Sequence, residues 1–361
     1  MNTLHEAFEN KLYKDCICVS DFYESILPSN KILSDFYNFL LSSSTKLCNQ
    51  YVEFNTLTRP EKNEQIYQLT KSKYVEQFHI KGLEAIVSTA TSINYNIIRA
   101  MKEEGVYGHI PFYIVVTDPY DPIAPGFDSI GATKYFCANQ IVKDILKNRQ
   151  IPEENIIISG YPISKRFAIA NKSYDNEEIY KTLIIDKNKK VIVLNCGSQG
   201  NLSNLELLTR YIKSDLDANF IMLCGVNKAL YKLAKLESMK SKKSNINIVP
   251  FFEHLEKLLA ISDVYITKGG ANSVYEALSM KVPILIEAVN GLVYQERGVV
   301  DLLNKLKVGM IIQNSNQIIS KLEIILSDDK QLRILNEYKQ INIGDGALNI
   351  VESILSDLGK V

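Results

Sequence analysis

The sequence predicts an α/β protein of two doubly wound domains, in which helices cover both faces of parallel sheets. Short β-branched runs alternate with longer helical stretches through most of the 361 residues, which is the pattern of repeated strand-helix units. Continuous apolar runs at 191–194, 220–223 and 284–286 are typical of strands buried on both faces. A chain of this length also has room for two domains of about 150 residues each.

The first domain is predicted over residues 1–163, where strand-like and helical patterns alternate. The strand-like runs are 16–20, 85–88, 112–117, 135–137 and 156–159. The helical patterns are 2–13, 31–50, 61–80, 92–104 and 139–149. A polar stretch rich in Lys, Asn and Asp then predicts a linker at 164–189.

The second domain is predicted over residues 190–340 and has the clearer strand pattern. Its strand-like runs are 191–195, 220–224, 246–249, 264–267, 283–287 and 309–312. Residues 341–361 are expected to form a C-terminal helix that packs back on the first domain.

Composition excludes several classes of function. Lys plus Arg and Asp plus Glu both number 41, so no global positive field attracts nucleic acid. No apolar run reaches the roughly 18 residues of a spanning helix, and the N-terminus lacks the features of a signal peptide. The six cysteines are scattered, which is typical of reduced, buried thiols. We therefore expect a cytoplasmic protein.

One segment of the second domain carries the strongest chemical signal. A short apolar strand runs into Gly269 and Gly270, and a helix is predicted to open at about Asn272–Ser273, with Glu276 in its first turn. Unpaired N–H groups at a helix N-terminus favour an anion such as a phosphate, and glycines allow close approach. A carboxylate one turn later suits ribose hydroxyls. Alternatively, Ser273 and Glu276 form a capping box and the glycines only a turn.

Similar loops follow the other strand-like runs of this domain. Because ligands of open parallel sheets bind beyond the carboxyl ends of the strands, all these loops are expected at one edge. The residues concerned are Gly197 and Ser198 in a small-residue turn, Gly225, Phe251 and Phe252, and Gln295 with Glu296. Five compatible loops at one edge favour the nucleotide site over the capped helix.

The second half of the chain resembles the donor-binding domain of GT-B glycosyltransferases. The group in question contains MurG, plant monogalactosyldiacylglycerol synthase and bacterial processive diacylglycerol glucosyltransferases. The matching segments are Gly197-Ser-Gln-Gly200, Cys224-Gly-Val-Asn-Lys-Ala-Leu230, Ile266-Thr-Lys-Gly-Gly-Ala-Asn-Ser-Val-Tyr-Glu-Ala-Leu278, Pro283-Ile-Leu and Gln295-Glu-Arg-Gly298. The Cys-Gly-x-Asn-Lys and Thr-Lys-x-Gly segments favour the lipid branch over MurG. Fainter matches in the first half are Val116-Thr-Asp-Pro119, 134–143 and Ile158-Ser-Gly-Tyr-Pro-Ile-Ser-Lys-Arg-Phe167.

The resemblance implies a GT-B fold whose two domains face a cleft that binds a UDP-sugar as donor substrate. It also implies inversion at the sugar, with neither a cofactor nor a metal ion. By position, Glu276 would bind the ribose hydroxyls, and Ser273 would bind the pyrophosphate together with the backbone of Gly269 and Gly270. Ser198 would lie near the phosphates, and Phe251 or Phe252 would flank the uracil. Gln295 and Glu296 would contact the sugar. Helix-terminal N–H groups would stabilise the departing diphosphate.

The catalytic base is the weakest point of this comparison. Family members begin with a strand and a glycine-rich loop ending in His, whereas here residues 1–12 already have the pattern of the helix that follows. The first strand and its loop are thus expected to be missing. Either the start is misplaced, the chain is a truncated or degenerate homologue, or another segment supplies the function of the loop. Asp118, at the end of the 112–117 strand, is the remaining candidate base. Alternatively it caps the turn that follows through Pro119.

The acceptor is expected to be a lipid such as diacylglycerol, reached by peripheral contact with the inner face of the cell membrane. The helix at 32–41 places Phe36, Phe39 and Leu40 together, and these side chains would lie either on a bilayer or in the core. Core packing is favoured, since the region lacks a Lys/Arg cluster for anionic lipid. The alternatives are a soluble small-molecule acceptor, a nucleotide-sugar-binding homologue without activity, and a UDP-sugar 2-epimerase.

Overall fold

The computed structural model describes residues 2–11, 17, 19–170, 177–197, 200, 202–341 and 343–360. The chain divides into two compact units. The first comprises Met1–Tyr37, Leu47–Ser164 and Gly344–Val361, and the second comprises Asn38–Lys46 and Lys165–Ile343. Each unit has its own parallel sheet.

The first unit is built on a four-stranded parallel sheet in the order β1-β2-β3-β4. Its strands are β1 (Ile86–Ser88), β2 (Phe112–Val115), β3 (Lys134–Cys137) and β4 (Ile156–Ile158). Its helices are α1 (Asn2–Glu9), α2 (Phe22–Ile26), α3 (Pro28–Ser43, which extends into the second unit), α4 (Thr45–Thr58), α5 (Glu64–Phe78), α6 (Asn94–Glu103), α7 (Gln140–Asn148) and, at the C-terminus, α17 (Gly346–Asp357).

Alternate residues of β2 belong to two different cores, because successive side chains of a strand point to opposite faces. Tyr113 and Val115 pack with α1 and α17. Phe112 and Ile114 pack with the helices of the larger core cluster. Both faces of the sheet are therefore covered, as the apolar runs predicted.

The second unit is built on a six-stranded parallel sheet in the order β10-β9-β8-β5-β6-β7. Its strands are β5 (Val191–Asn195), β6 (Asn219–Leu223), β7 (Ile246–Val249), β8 (Val264–Thr267), β9 (Ile284–Glu287) and β10 (Gly309–Ile312). Its helices are α8 (Lys165–Ala170), α9 (Glu177–Leu183), α10 (Leu202–Ile212), α11 (Lys228–Met239), α12 (Leu255–Ala260), α13 (Ala271–Ser279), α14 (Val299–Leu306), α15 (Ile318–Leu326) and α16 (Asp328–Tyr338).

The strands of the second half are confirmed to within one residue at each end. In the first half, the predicted strand at 16–20 is wrong for its described part: residues 17, 19 and 20 lie outside any strand, and residues 16 and 18 lie outside the described residues. The helical pattern at 31–50 covers two helices, α3 and α4, separated at Ser44.

The boundaries of the units differ from the predicted ones at the linker. Residues 164–189 include α8 and α9, and the longer of the two segments of the second unit begins at Lys165. The C-terminal residues 344–361 belong to the first unit. There the Lys134 ammonium donates to Asp357 at 2.6 Å, and the Asn349 amide donates to the Ser159 carbonyl at 2.8 Å.

Candidate functional site

The strand order of the second sheet reverses between β5 and β8. From β5 the chain proceeds through β6 to β7 on one side, and from β8 through β9 to β10 on the other. Such a reversal opens a crevice beyond the carboxyl ends of the two central strands. Gly197 follows β5 and Gly269 follows β8, with φ angles of +72° and +106° that favour glycine. The two predicted glycine turns are thus neighbours at this crevice.

Helix α13 opens directly at the second turn. Gly270 is its N-cap residue, and as a glycine it has no side chain that could cap the first N–H groups of the helix. Ser273 is the third residue of the helix; its hydroxyl donates to the Gly270 carbonyl at 3.0 Å and lies 2.9 Å from Thr267 Oγ1. The capping-box alternative is therefore wrong, because the helix begins at Ala271 rather than at Ser273. The amino end of α13 remains open toward an anion.

Glu276 lies in the second turn of α13, among other charged groups of the second unit. Burial raises the pKa of its carboxyl to about 7; Arg166 opposes this shift and Glu256 adds to it. Glu256 is buried, with one carboxylate oxygen 3.2 Å from His254 Nδ1 and the other 4.0 Å from Arg166 Nη1. Carboxyls with pKa values perturbed in this way cluster at functional sites, which makes Glu276 a candidate site residue.

Arg166 and Glu256 are two charged residues that the sequence reading missed. Arg166 stands on α8, inside the stretch predicted as a linker, and was overlooked although the family-like segment ending at Phe167 contains it. Glu256 stands on α12 after the loop with the two phenylalanines, where no spacing rule marks it.

Two further polar side chains tie the central strands together. The Asn195 amide donates to the Tyr265 hydroxyl, and the Asn195 side-chain oxygen accepts from the Gly197 N–H at 2.9 Å. Tyr265 is fully buried, and burial together with Glu276 raises the pKa of its hydroxyl. Asn195 therefore fixes the turn after β5 against β8. Neither residue belongs to a motif, so sequence reasoning had no signal for this pair.

A second charged cluster lies at the ends of β8 and β9. It consists of Lys268, Glu287 and Glu296, and one oxygen of Glu296 is 3.3 Å from where a Cβ on Gly270 would stand. Burial raises the pKa of Glu296 to about 7, an effect that Lys268 opposes and Glu287 increases. Glu287 is buried and accepts from the Val289 N–H at 2.9 Å. The predicted residue Gln295 shares with Glu296 the short 3-10 turn Tyr294–Glu296.

The remaining predicted donor residues lie farther along the same sheet edge. Gly225 follows β6 with a φ of +60°, and Phe251 and Phe252 follow the edge strand β7. Phe251 is 69% exposed. These positions are one and two strands away from β5 rather than at the reversal. Ser198 lies outside the described residues.

Asp118 belongs to the first unit, just beyond β2. Its Oδ2 accepts from the Ala124 N–H at 2.7 Å, and burial raises the pKa of the carboxyl to about 6. The Asp118 carboxyl thus holds the loop that follows β2 at Ala124, beyond the turn at Pro119. Farther along the chain, Asp128 accepts from the Gly126 N–H at 2.9 Å and from the Arg59 guanidinium at 3.2 and 3.0 Å. A catalytic role for Asp118 stays a prediction.

Two parallel sheets covered by helices, one of them with a strand-order reversal, define the class, a doubly wound α/β protein of two units. Matches to protein-family models narrow this class of protein to a family. The model described as monogalactosyldiacylglycerol (MGDG) synthase matches residues 1–163, and the model of the glycosyltransferase family 28 C-terminal domain matches residues 191–333. The chain is a glycosyltransferase with the GT-B fold.

Individual relatives agree with this assignment. The chain is 25% identical over 370 residues to a protein named processive diacylglycerol beta-glucosyltransferase from Bacillus cereus (strain B4264). The alignment covers 98% of this chain and 89% of the relative. A protein of the same name from Bacillus cytotoxicus is 25% identical over 369 residues, with the same coverage.

Solved structures share the fold at lower identity. MurG from Acinetobacter baumannii matches with a TM-score of 0.58 and 14% identity, covering 81% of this chain and 78% of that one. UDP-GlcNAc 2-epimerase from Neisseria meningitidis bound to UDP-GlcNAc matches with a TM-score of 0.59 and 17% identity, covering 82% and 83%. At such identities these likenesses concern the fold alone.

Proposed function

We propose that this glycosyltransferase transfers a hexose from a UDP-sugar to a diacylglycerol-type lipid, with inversion. The observation that carries the proposal is the pair of glycine turns at the reversal of the second sheet, one of which opens α13 without a side-chain cap. The lipid acceptor is supported by the names of the relatives from Bacillus cereus and Bacillus cytotoxicus. A UDP-sugar is supported by the epimerase structure bound to UDP-GlcNAc.

In this proposal the donor lies along the crevice of the second unit. The diphosphate binds at the open amino end of α13, where N–H groups and the helix dipole favour negative charge. Glu276 accepts hydrogen bonds from the ribose hydroxyls, and Arg166 keeps a positive charge beside it. Gln295 and Glu296 contact the sugar, and Phe251 or Phe252 packs on the uracil. Ser198 contributes to the phosphate site.

The proposed reaction is a single displacement. The acceptor hydroxyl gives its proton to the Asp118 carboxylate, its oxygen bonds to the anomeric carbon, and the bond from that carbon to the diphosphate oxygen breaks. A base with a pKa of about 6 is mostly ionised at neutral pH and can still hold the proton it takes. The α13 amino end stabilises the charge on the departing UDP, so we propose that neither a metal ion nor a cofactor is required.

Exposed apolar side chains support contact with a lipid surface. Phe36 and Phe39 of α3 are 45% and 61% exposed, whereas Leu40 is buried, so the expectation of core packing was wrong for the two phenylalanines. Phe54 and Leu57 of α4 are 62% and 84% exposed. No helix in the described part of the chain is long and apolar enough to cross a bilayer. We propose that these helices lie on the membrane that contains the acceptor.

The test is release of UDP from UDP-glucose and UDP-galactose, with diacylglycerol vesicles compared with soluble acceptors and with protein alone. Diacylglycerol-dependent release with formation of a glycolipid is expected. Release only with soluble acceptors would contradict the lipid acceptor. Conversion of UDP-GlcNAc to its 2-epimer without sugar transfer would mean that the activity is epimerisation and not glycosyl transfer. Phe39→Ser with Leu57→Ser should weaken binding to vesicles while UDP binding is unchanged. Unchanged vesicle binding would contradict the proposed contact.

A further inference from the structure

Helix α11 of the second unit presents an apolar stripe to solvent. Leu233, Leu236 and Met239 follow one another at intervals of three residues, so they lie on one side of the helix. These residues are 43%, 59% and 80% exposed. Leu230 and Ala234, on the other side of the helix, are buried. Helix α11 is thus anchored by one side, and on its other side large apolar side chains are left uncovered by the described residues.

Lysines surround this stripe. The exposed lysines of α11 and of the segment that follows it are Lys228, Lys232, Lys235, Lys240 and Lys242. Lys240 donates to Glu237 at 2.8 Å, and the other oxygen of Glu237 accepts from the Thr209 hydroxyl at 3.3 Å. Glu237 is the only acidic residue of α11. The remaining four lysines have no ion pair within the described residues, so their positive charge is not neutralised there.

Lys243 differs from these four lysines because it has a structural role. Its ammonium donates to the Leu216 carbonyl at 2.6 Å and lies 4.5 Å from the centre of the Tyr211 ring. The four lysines make no hydrogen bond of this kind within the described part of the chain, so folding does not explain their placement. Together with the apolar stripe they form a mixed surface, which is called the α11 surface below.

We propose that the α11 surface binds a bilayer that contains anionic phospholipid. This inference deepens the proposed function and rests on it for the membrane that contains the acceptor. The apolar tips enter the boundary of the hydrocarbon, and the lysine ammonium groups reach the headgroup phosphates on their flexible stems. An acidic protein fits less well, because protein interfaces are enriched in aromatic residues and Arg and depleted in Lys, whereas this surface has four lysines and neither aromatic residues nor Arg.

The charge gives the α11 surface a selectivity that the exposed apolar residues of α3 and α4 do not have. Phe39 and Leu57 contact hydrocarbon whatever the headgroup. A lysine near an anionic bilayer strengthens binding roughly fivefold. Four lysines should therefore favour anionic over neutral vesicles by roughly 100-fold or more at low salt. At about 0.5 M salt this preference should nearly vanish, because charges are then screened beyond roughly 4 Å.

The experiment is co-sedimentation of the full chain with vesicles of phosphatidylcholine alone and of phosphatidylcholine with one third phosphatidylglycerol, both without diacylglycerol. The wild type should prefer the anionic vesicles at low salt. Lys232→Gln with Lys235→Gln should weaken binding to the anionic vesicles roughly 25-fold and leave binding to the neutral ones unchanged. Leu236→Ser with Met239→Ser should weaken binding to the anionic vesicles roughly tenfold, because less apolar surface is buried.

The matched control is Lys181→Gln with Lys305→Gln, two exposed lysines on α9 and α14 whose loss removes the same charge. It should bind both kinds of vesicle as the wild type does. All three variants should keep the wild-type urea midpoint, because every side chain concerned is exposed.

The outcomes separate this inference from the proposed function. Equal binding of the wild type to both kinds of vesicle, or an equal loss in the control and in the lysine variant, would overturn the role of the α11 surface and leave the proposed function standing. Tighter binding to polyglutamate than to the anionic vesicles, with the same dependence on the lysines, would assign this surface to an acidic protein and overturn the lipid. The expected vesicle binding without any glycolipid formed from UDP-glucose or UDP-galactose would contradict the proposed function alone.

Discussion

Replacing Glu276 by Gln should stabilise the protein at high pH, because a buried carboxylate is held at the donor crevice. The carboxyl keeps its proton up to about pH 7 in the folded chain, against a usual value of 4.5. Stability from this group is therefore complete below about pH 4.5 and is lost as the pH rises through about 7. A shift of about 2.5 pKa units corresponds to roughly 3 kcal/mol at pH 8, reduced somewhat by partial exposure.

The assay is urea denaturation of wild type and Glu276→Gln at pH 5 and pH 8, with Glu323→Gln as the control for an exposed carboxylate. We expect Glu276→Gln to raise the free energy of unfolding by about 2–3 kcal/mol at pH 8 and by under about 1 kcal/mol at pH 5. The control should change it by less than about 0.5 kcal/mol at both pH values. Equal or lower stability of Glu276→Gln at pH 8 would refute the reasoning.

The same substitution also tests why an unfavourable charge is kept there. If Glu276 accepts hydrogen bonds from ribose, Glu276→Gln should weaken uridine and UDP binding alike, by roughly tenfold, since bonds to charged groups are the stronger ones. A gain in stability combined with a loss of affinity marks a functional carboxylate. Retained affinity in both this variant and Glu276→Ala would mean that the ribose site lies elsewhere.

Three further substitutions are informative. Gly270→Ala should fold, because the φ of −57° suits alanine. It should weaken UDP binding roughly tenfold and leave uridine binding unaffected. A UDP affinity equal to that of the wild type in calorimetry would contradict the phosphate site. Asp118→Asn should lower turnover at least about 100-fold with UDP binding intact, and unchanged turnover would exclude it as the base. Gly126→Ala places a Cβ 2.1 Å from the Thr91 carbonyl oxygen, at a residue whose φ is +102°. It should therefore lower the free energy of unfolding by more than about 3 kcal/mol. A urea midpoint equal to that of the wild type would contradict this.

The central strands of the second unit could be predicted from the sequence because they are short apolar runs, and such runs are typical of strands buried on both faces. The early run at 16–20 has the same composition, yet its described residues 17, 19 and 20 form no strand. Composition alone cannot say whether a short run finds a partner strand, since pairing depends on distant parts of the chain. The split of the 31–50 helix at Ser44 likewise has no glycine or proline to mark it.

The glycine turns and Glu276 were predictable because backbone conformation and the chemistry of a helix end are local properties. Arg166, Glu256 and Tyr265 were not, because they reach the donor crevice from three other elements. Their electrostatic interactions with Glu276 depend on how α8, α12 and β8 pack around α13. Glu296 was predicted as a sugar contact, but its place beside Gly270 comes from the loop after β9 folding back on the helix end.

The sequence by itself determined the class of fold, the order of strands and helices and the edge of the second sheet where a nucleotide would bind. These follow from hydrophobic periodicity and from glycines, which act within a few residues. Only the tertiary structure decided that β5 and β8 are neighbours, that α13 opens uncapped at Ala271, and that Lys268, Glu287 and Glu296 share one edge. The reason is physical: burial and charge at a site come from residues far apart in the chain, and packing alone brings them together.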